Sequence, residues 1–273
     1  MSGGRSDSED GQGRMTYGGY LDLERLLGAQ HPISTHHDEL LFVIIHQTKE
    51  LWLKQMIHEL RFSRRLIHED RLVEVHKSLS RISRIQTVMT LSWDILSTLT
   101  PTDYSSFRYV LGGSSGFQSA QFREFEYLLG LKDGEHLRFQ EEGSAPYLAL
   151  LDALEHPSLW DEANAALARH GMALPAEVLE RDWRRPYAPD PRVEASWAEV
   201  YRGTERWWPF YQLAEKLVDV DDSLATWRHK HVLTVSRIIG MKRGTGGTAG
   251  VGYLETTLAK RAFPELWSLR TSL

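Results

Sequence analysis

From Asp38 to about His68 the chain has no glycine or proline, and Phe42, His46, Lys49, Leu53, Met56 and Leu60 recur three or four residues apart. That period places them on one face of a long helix. Thr35 and Asp38 have the spacing of a capping box at its start. A second long helix is predicted from about Leu72 to Leu99. There Leu72, Val75, Leu79, Ile82, Gln86, Met89, Trp93 and Leu96 step by three and four, with one polar break. This is the heptad-like seam of a bundle helix. Before this pair, Tyr17 and Tyr20 flank two glycines, and Leu21, Leu23, Leu26 and Leu27 outline a short helix. Residues 1–13, MSGGRSDSEDGQG, are small and polar and are expected to form a disordered tail.

Further on, Pro101 opens a helical turn, a glycine-serine break follows, and another amphipathic helix comes after it. Residues of about 150–200 are richer in Ala, Pro and charge and read as a small helical insertion. Long helical patterns resume from Ala195. No run of alternating strands and no fixed-period repeat stands out. The pattern therefore predicts an all-α fold, a large helical bundle, with residues 14–273 as one domain.

Composition narrows the chemistry. The chain has 273 residues, a net charge of −5 and no cysteine. Disulfides, thiolate metal sites and cysteine nucleophiles are thereby excluded, and the charge argues against a general nucleic-acid binder. No apolar run is long enough to span a bilayer and no apolar signal core is visible, so no membrane partner and a cytoplasmic location are expected. Nine Trp and twelve His suit a pocket for a flat cofactor or substrate.

The segment WRHKHVLTVSRIIGMKRGTGGTAG carries the sharpest question. Its glycines invite comparison with phosphate loops, but those need a strand before the glycines, and here a helix precedes them. A helix C-cap explains Gly240. It does not explain the five glycines that follow up to Gly252, which suit a segment that closes over a ligand. His229 and His231 point about 200° apart on a helix and cannot share a metal. His231 sits among Leu233, Val235, Ile238 and Ile239 and could serve an apolar pocket. A lone axial histidine is the usual anchor of haem iron. His46 follows an apolar run and, if buried, needs a hydrogen-bond partner from protein or ligand. Tyr104 and Arg108, at i and i+4, form either a surface pair or a carboxylate clamp.

Four blocks, TYGGYL, HHDELLFVIIHQTKELWLK, FRYVLGGSSGFQSAQFR and WRHKHVLTVSRIIGMKRGTGGTAGVGYL, together resemble the bacterial-type tryptophan 2,3-dioxygenase family in order and spacing. The resemblance runs from about Thr16 to the C-terminal region and is weakest over about 150–200. It implies a bundle enclosing one b-type haem per subunit, with ferrous iron in the active form. The implied reaction opens the indole C2–C3 bond of L-tryptophan with O2 to give N-formylkynurenine, the first step of tryptophan breakdown by the kynurenine route. By the same resemblance His231 is the proximal iron ligand, and Trp93, Ser115 and Gly116 line the haem. His46 hydrogen-bonds the indole N–H, and Phe42 packs on the ring. Arg108 and Tyr104 hold the carboxylate, and Thr245 reaches the substrate's backbone groups when the glycine loop closes. Tyr17, Tyr20 and Leu21 belong to a segment that reaches the active site of a neighbouring subunit in a homotetramer, a dimer of dimers. Indole N–H is a very weak acid, so an orienting role suits His46 better than that of a general base. Two rivals share part of this pattern: a haem-binding sensor or carrier using His231, and a helical scaffold with no cofactor.

Overall fold

A computed structural model describes residues 15–247 and 249–273. The tail expected at 1–13 lies outside the described residues. Helices α1 (Tyr17–Tyr20) and α2 (Leu23–Leu27) precede two long ones, α3 (Glu39–His68) and α4 (Leu72–Leu96). Shorter helices follow: α5 (Pro101–Phe107), α6 (Ala120–Leu129), α7 (Ala145–Glu155), α8 (Leu159–Arg169), α9 (Ala176–Leu179) and α10 (Pro191–Arg202). The chain finishes with long α11 (Thr204–Ile239), then α12 (Val251–Thr256) and α13 (Pro264–Ser268). No strand occurs among the described residues, and the fold is all-α.

The centre is a helix triplet in which α4 packs against both α3 and α11. All eight residues of the seam read from Leu72 to Leu96 are buried, Gln86 among them. Gln86 is accommodated because its side-chain amide donates to the carbonyl of Val220 on α11, 3.2 Å away; a buried amide needs such a partner. On α3 the stripe Leu53, Met56 and Leu60 is likewise buried.

Two boundaries differ from the reading of the sequence. The α3 N-terminus is capped by no side chain of Thr35 or Asp38. The chain before it turns back, so that the backbone N–H groups of Ile33 and Ser34 donate to the Glu39 carboxylate at 2.8 and 2.7 Å. The second helix stops at Leu96, three residues early. Thr100 and Asp103 form a capping box that starts α5, with Pro101 as its first residue. Pro101 also disfavours helical backbone at the residue before it.

The helices around 150–200 are woven into the core. Helix α8 packs on α3, and α10 packs on α11 and α13. Trp160 and Trp197 stack with centroids 5.3 Å apart, both fully buried. The Trp197 indole donates to Asn164 at 2.8 Å. Beyond Thr256, Asp221 on α11 accepts from the backbone N–H of Ala262 at 3.0 Å and from the Trp267 indole at 2.9 Å. That carboxylate ties the C-terminal segment to the bundle.

Candidate functional site

One cavity, of about 610 Å³, opens between α3, α4, α5, α11 and the glycine loop. Its size is ample for a cofactor or a small-molecule ligand. Phe42, His46, Trp93, Tyr104, Arg108, Ser115, Gly116, His231 and Thr245 all line it. Tyr17, Tyr20 and Leu21 do not. They stand on the surface, 77%, 70% and 40% exposed.

Helix α3 contributes a stripe of i, i+4 and i+7. The Nδ1–H of His46 donates to the carbonyl of Phe42 at 2.7 Å. A carbonyl can only accept, so the proton sits on Nδ1 and Nε2 is left as an acceptor. Burial in the wall, aided by the charge of Lys49, pushes the His46 pKa down to about 4 against the pull of the Phe42 carbonyl. The ring is therefore neutral at ordinary pH. Phe42 packs 4.2 Å from that ring and 5.9 Å from Tyr104. Phe107 meets both Phe42 and Tyr104 edge-on and closes an aromatic wall.

Helix α11 brings His231 to the same cavity. His229 back-bonds to the carbonyl of Ala225 at 2.9 Å and is exposed. His231 instead stacks on Trp93 at 4.4 Å, nearly parallel at 11°, and packs 5.1 Å from Trp227. Burial, then the charges of Lys49 and His46, push its pKa down to about 3. A neutral imidazole is the form that binds a metal. No cluster of three His, Cys, Asp or Glu able to hold a metal ion occurs among the described residues. A metal held by His231 therefore needs its remaining ligands from a non-protein group.

Arg108 follows α5 in a tight turn rather than within the helix. Its guanidinium donates to the carbonyl of Arg243 in the glycine loop. Thr245 donates to the carbonyl of Ser114 from the other side. The loop is thus drawn down onto the Ser114–Gly116 segment at the cavity wall. Gly246 makes that approach possible, since a Cβ there would lie 2.6 Å from the Ser115 Cβ. Gly250 has a φ of +63°, and a Cβ there would lie 2.4 Å from the Lys242 carbonyl oxygen. Burial raises the Tyr104 pKa, with Arg108 opposing, so its phenol stays a donor.

The cavity wall also contains residues for which no chemical role was read from the sequence. Lys49 lies in its wall, as do Arg123, Arg228 and Glu126. Lys49 was visible as a charge in an otherwise apolar helical stripe, and that break was the signal. Arg123 and Glu126 are three residues apart on α6 and pair at 2.6 Å; Arg228 on α11 joins Glu126 only in the folded chain, at 2.8 Å, and its place in the wall was not legible. Four buried donors around the cavity, Lys49 Nζ, Trp93 Nε1, Trp227 Nε1 and Arg123 Nε, have no acceptor. Orphaned buried donors are rare, and all four belong to residues of the cavity wall.

The fold and the site together define an all-α protein built around a cavity for a large ligand, with one free imidazole and one tautomer-locked imidazole in its wall. Comparison with known proteins is more specific. The tryptophan 2,3-dioxygenase family model matches residues 1–148 and 152–273. A tryptophan 2,3-dioxygenase of Caulobacter vibrioides is 62% identical over 95% of this chain and 98% of its own. Those of Bordetella pertussis and Ralstonia pickettii are each 51% identical over 95% of this chain, covering 91% and 93% of their own. The chain belongs to the tryptophan 2,3-dioxygenase family.

Proposed function

We propose that the cavity holds a b-type haem on His231 and L-tryptophan beside it, and that the enzyme is the tryptophan-opening dioxygenase its family name describes. The observation that carries the haem is the state of His231, neutral, stacked on Trp93 and lining the cavity. The absence of any three-ligand metal cluster among the described residues fits a macrocycle that supplies the other ligands. Trp93, Ser115 and Gly116, on the cavity wall, would flank it. When bound in the ferrous state, haem supplies dioxygen activation, and the protein supplies binding, orientation and electrostatics.

The chain's own residues orient tryptophan. Arg108, assisted by Tyr104, receives the carboxylate as a charge-assisted pair. Thr245 contacts the amino-acid end from the loop. Phe42 packs on the indole. His46 Nε2, left as an acceptor by the Nδ1–Phe42 bond, takes the indole N–H and holds C2–C3 in place. His46 moves no proton in this reading. The Arg243 carbonyl now on Arg108 gives way to the substrate carboxylate, so that substrate entry and loop position are coupled.

The enzyme is further inferred to act as a homotetramer in which Tyr17, Tyr20 and Leu21 complete a neighbour's site; their exposure leaves them available. No helix among the described residues is long and apolar enough to cross a membrane, in keeping with work in the cytoplasm. A haem sensor or carrier would share His231 but has no use for Arg108 or the closing loop. The test is to load the full chain with haemin, reduce it, add L-tryptophan and oxygen, and follow N-formylkynurenine in the near ultraviolet. Product dependent on both haem and tryptophan supports the proposal. Haem bound with no product supports the sensor, and no haem bound refutes the role of His231.

A further inference from the structure

Lys49 stands one turn beyond His46 on α3, only 7% exposed, with its Nζ 2.9 Å from the centroid of the Trp93 ring. That nitrogen has no hydrogen-bond partner. An amine taken out of water with neither anion nor carbonyl to meet it is costly. The other cations of the wall are provided for. Arg108 has the carbonyl of Arg243, and Arg123 and Arg228 share Glu126. Glu50, next to Lys49 in the chain, is turned to Ser119 and Gln121 at 2.7 and 2.8 Å. Among the described residues, then, Lys49, in the cavity wall, has no counter-ion, and its Nζ, packed against Trp93, would gain one from an anion brought by what the cavity binds.

Two anionic groups are expected there, the tryptophan carboxylate and the haem carboxylates. The first belongs to Arg108, beneath the glycine loop. Lys49 lies instead against Trp93, the ring that stacks on His231. We propose that Lys49 is a cofactor-binding residue whose ammonium pairs with a carboxylate of the haem. This inference rests on the haem reading above. The burial that holds the Lys49 pKa down to about 6 without a partner would be offset once a carboxylate arrives, and the ammonium form restored.

The full-length protein is loaded separately with haemin and with haemin dimethyl ester, whose carboxylates are masked. The rate of loss of each to a high-affinity haem scavenger is followed in the Soret band. The wild type is expected to lose the ester about tenfold or more faster than the free acid, the scale of one charge-assisted hydrogen bond. In Lys49→Met that ratio should fall by about tenfold, while Lys49→Arg should keep most of it. A ratio unchanged in Lys49→Met, or absent in the wild type, overturns the role of Lys49 and leaves the haem reading intact. If the wild type takes up neither porphyrin, the haem reading itself fails.

Discussion

At the scale of single residues, the proposed site has His46 and Arg108 divide the work of holding tryptophan. Arg108→Ala should weaken tryptophan binding by about 10- to 100-fold, the cost of a lost charged hydrogen bond, with haem content unchanged. An equilibrium titration of tryptophan checks it, and an unaltered dissociation constant would remove the clamp role. His46→Ala should lower both turnover and affinity yet retain activity. Complete loss of turnover with normal haem would instead make His46 a proton carrier. The pH behaviour follows in sign. The His46 pKa lies at about 4, below the ordinary value, so the charged form appears only as pH falls through that range. Tryptophan affinity should show no inflection due to His46 near the usual histidine value of about 6.5. An inflection there that vanishes in His46→Gln would contradict the neutral, accepting ring. Much of this set was legible, because Phe42, His46 and Lys49 share a helical register that the sequence displays. Arg108 was legible by type and spacing, but the turn that carries it was not: that depends on where α5 ends.

At the scale of elements, the glycine loop and the helices around 150–200 behave differently. The loop rests on the contact between Gly246 and Ser115. Gly246→Ala should hold it away from the wall, since a Cβ would meet Ser115 at 2.6 Å. Tryptophan affinity should fall while haem retention stays, which a paired titration of ligand and Soret band would separate. The inserted helices act on stability instead. Trp197 is fully buried against Trp160, and Trp197→Ala should cost about 3–5 kcal/mol, read as a lowered denaturant midpoint. A cost under about 1 kcal/mol would mean that these helices are a detachable appendage, as surface changes usually are. Composition marked this region as different but could not reveal its packing, because Trp160 and Trp197 find each other only across a turn and a second helix. All eight residues read on α4 are buried, whereas Ser78 and Ile85, buried as well, lie off that single seam, because α4 is covered by both α3 and α11.

At the scale of the whole molecule, the proposed tetramer makes the N-terminal segment the test of whether one subunit is sufficient. Deleting residues 1–13 should leave turnover and assembly unchanged. Deleting through Leu21 should impair activity, because Tyr17, Tyr20 and Leu21 stand exposed, outside the lining of the cavity, and are proposed to complete a neighbour's site. Turnover assays with sedimentation on both truncations test this, and full activity in the longer one would make each subunit self-sufficient. Sequence pattern gave the all-α class and the central helices. It could not place the N-terminal segment, whose amphipathic face carries no information about which chain it will meet.

The bond from His46 Nδ1 to the Phe42 carbonyl reaches beyond orientation. A helix turn, not the substrate, chooses which ring nitrogen keeps the proton. On the proposed reading the site then favours a partner that brings a proton of its own to that spot. Benzofuran and benzothiophene isosteres of tryptophan, which present a lone pair there, should be turned away even though their shape is right. The selectivity of the pocket for nitrogen over oxygen or sulfur would then be written in the backbone of α3.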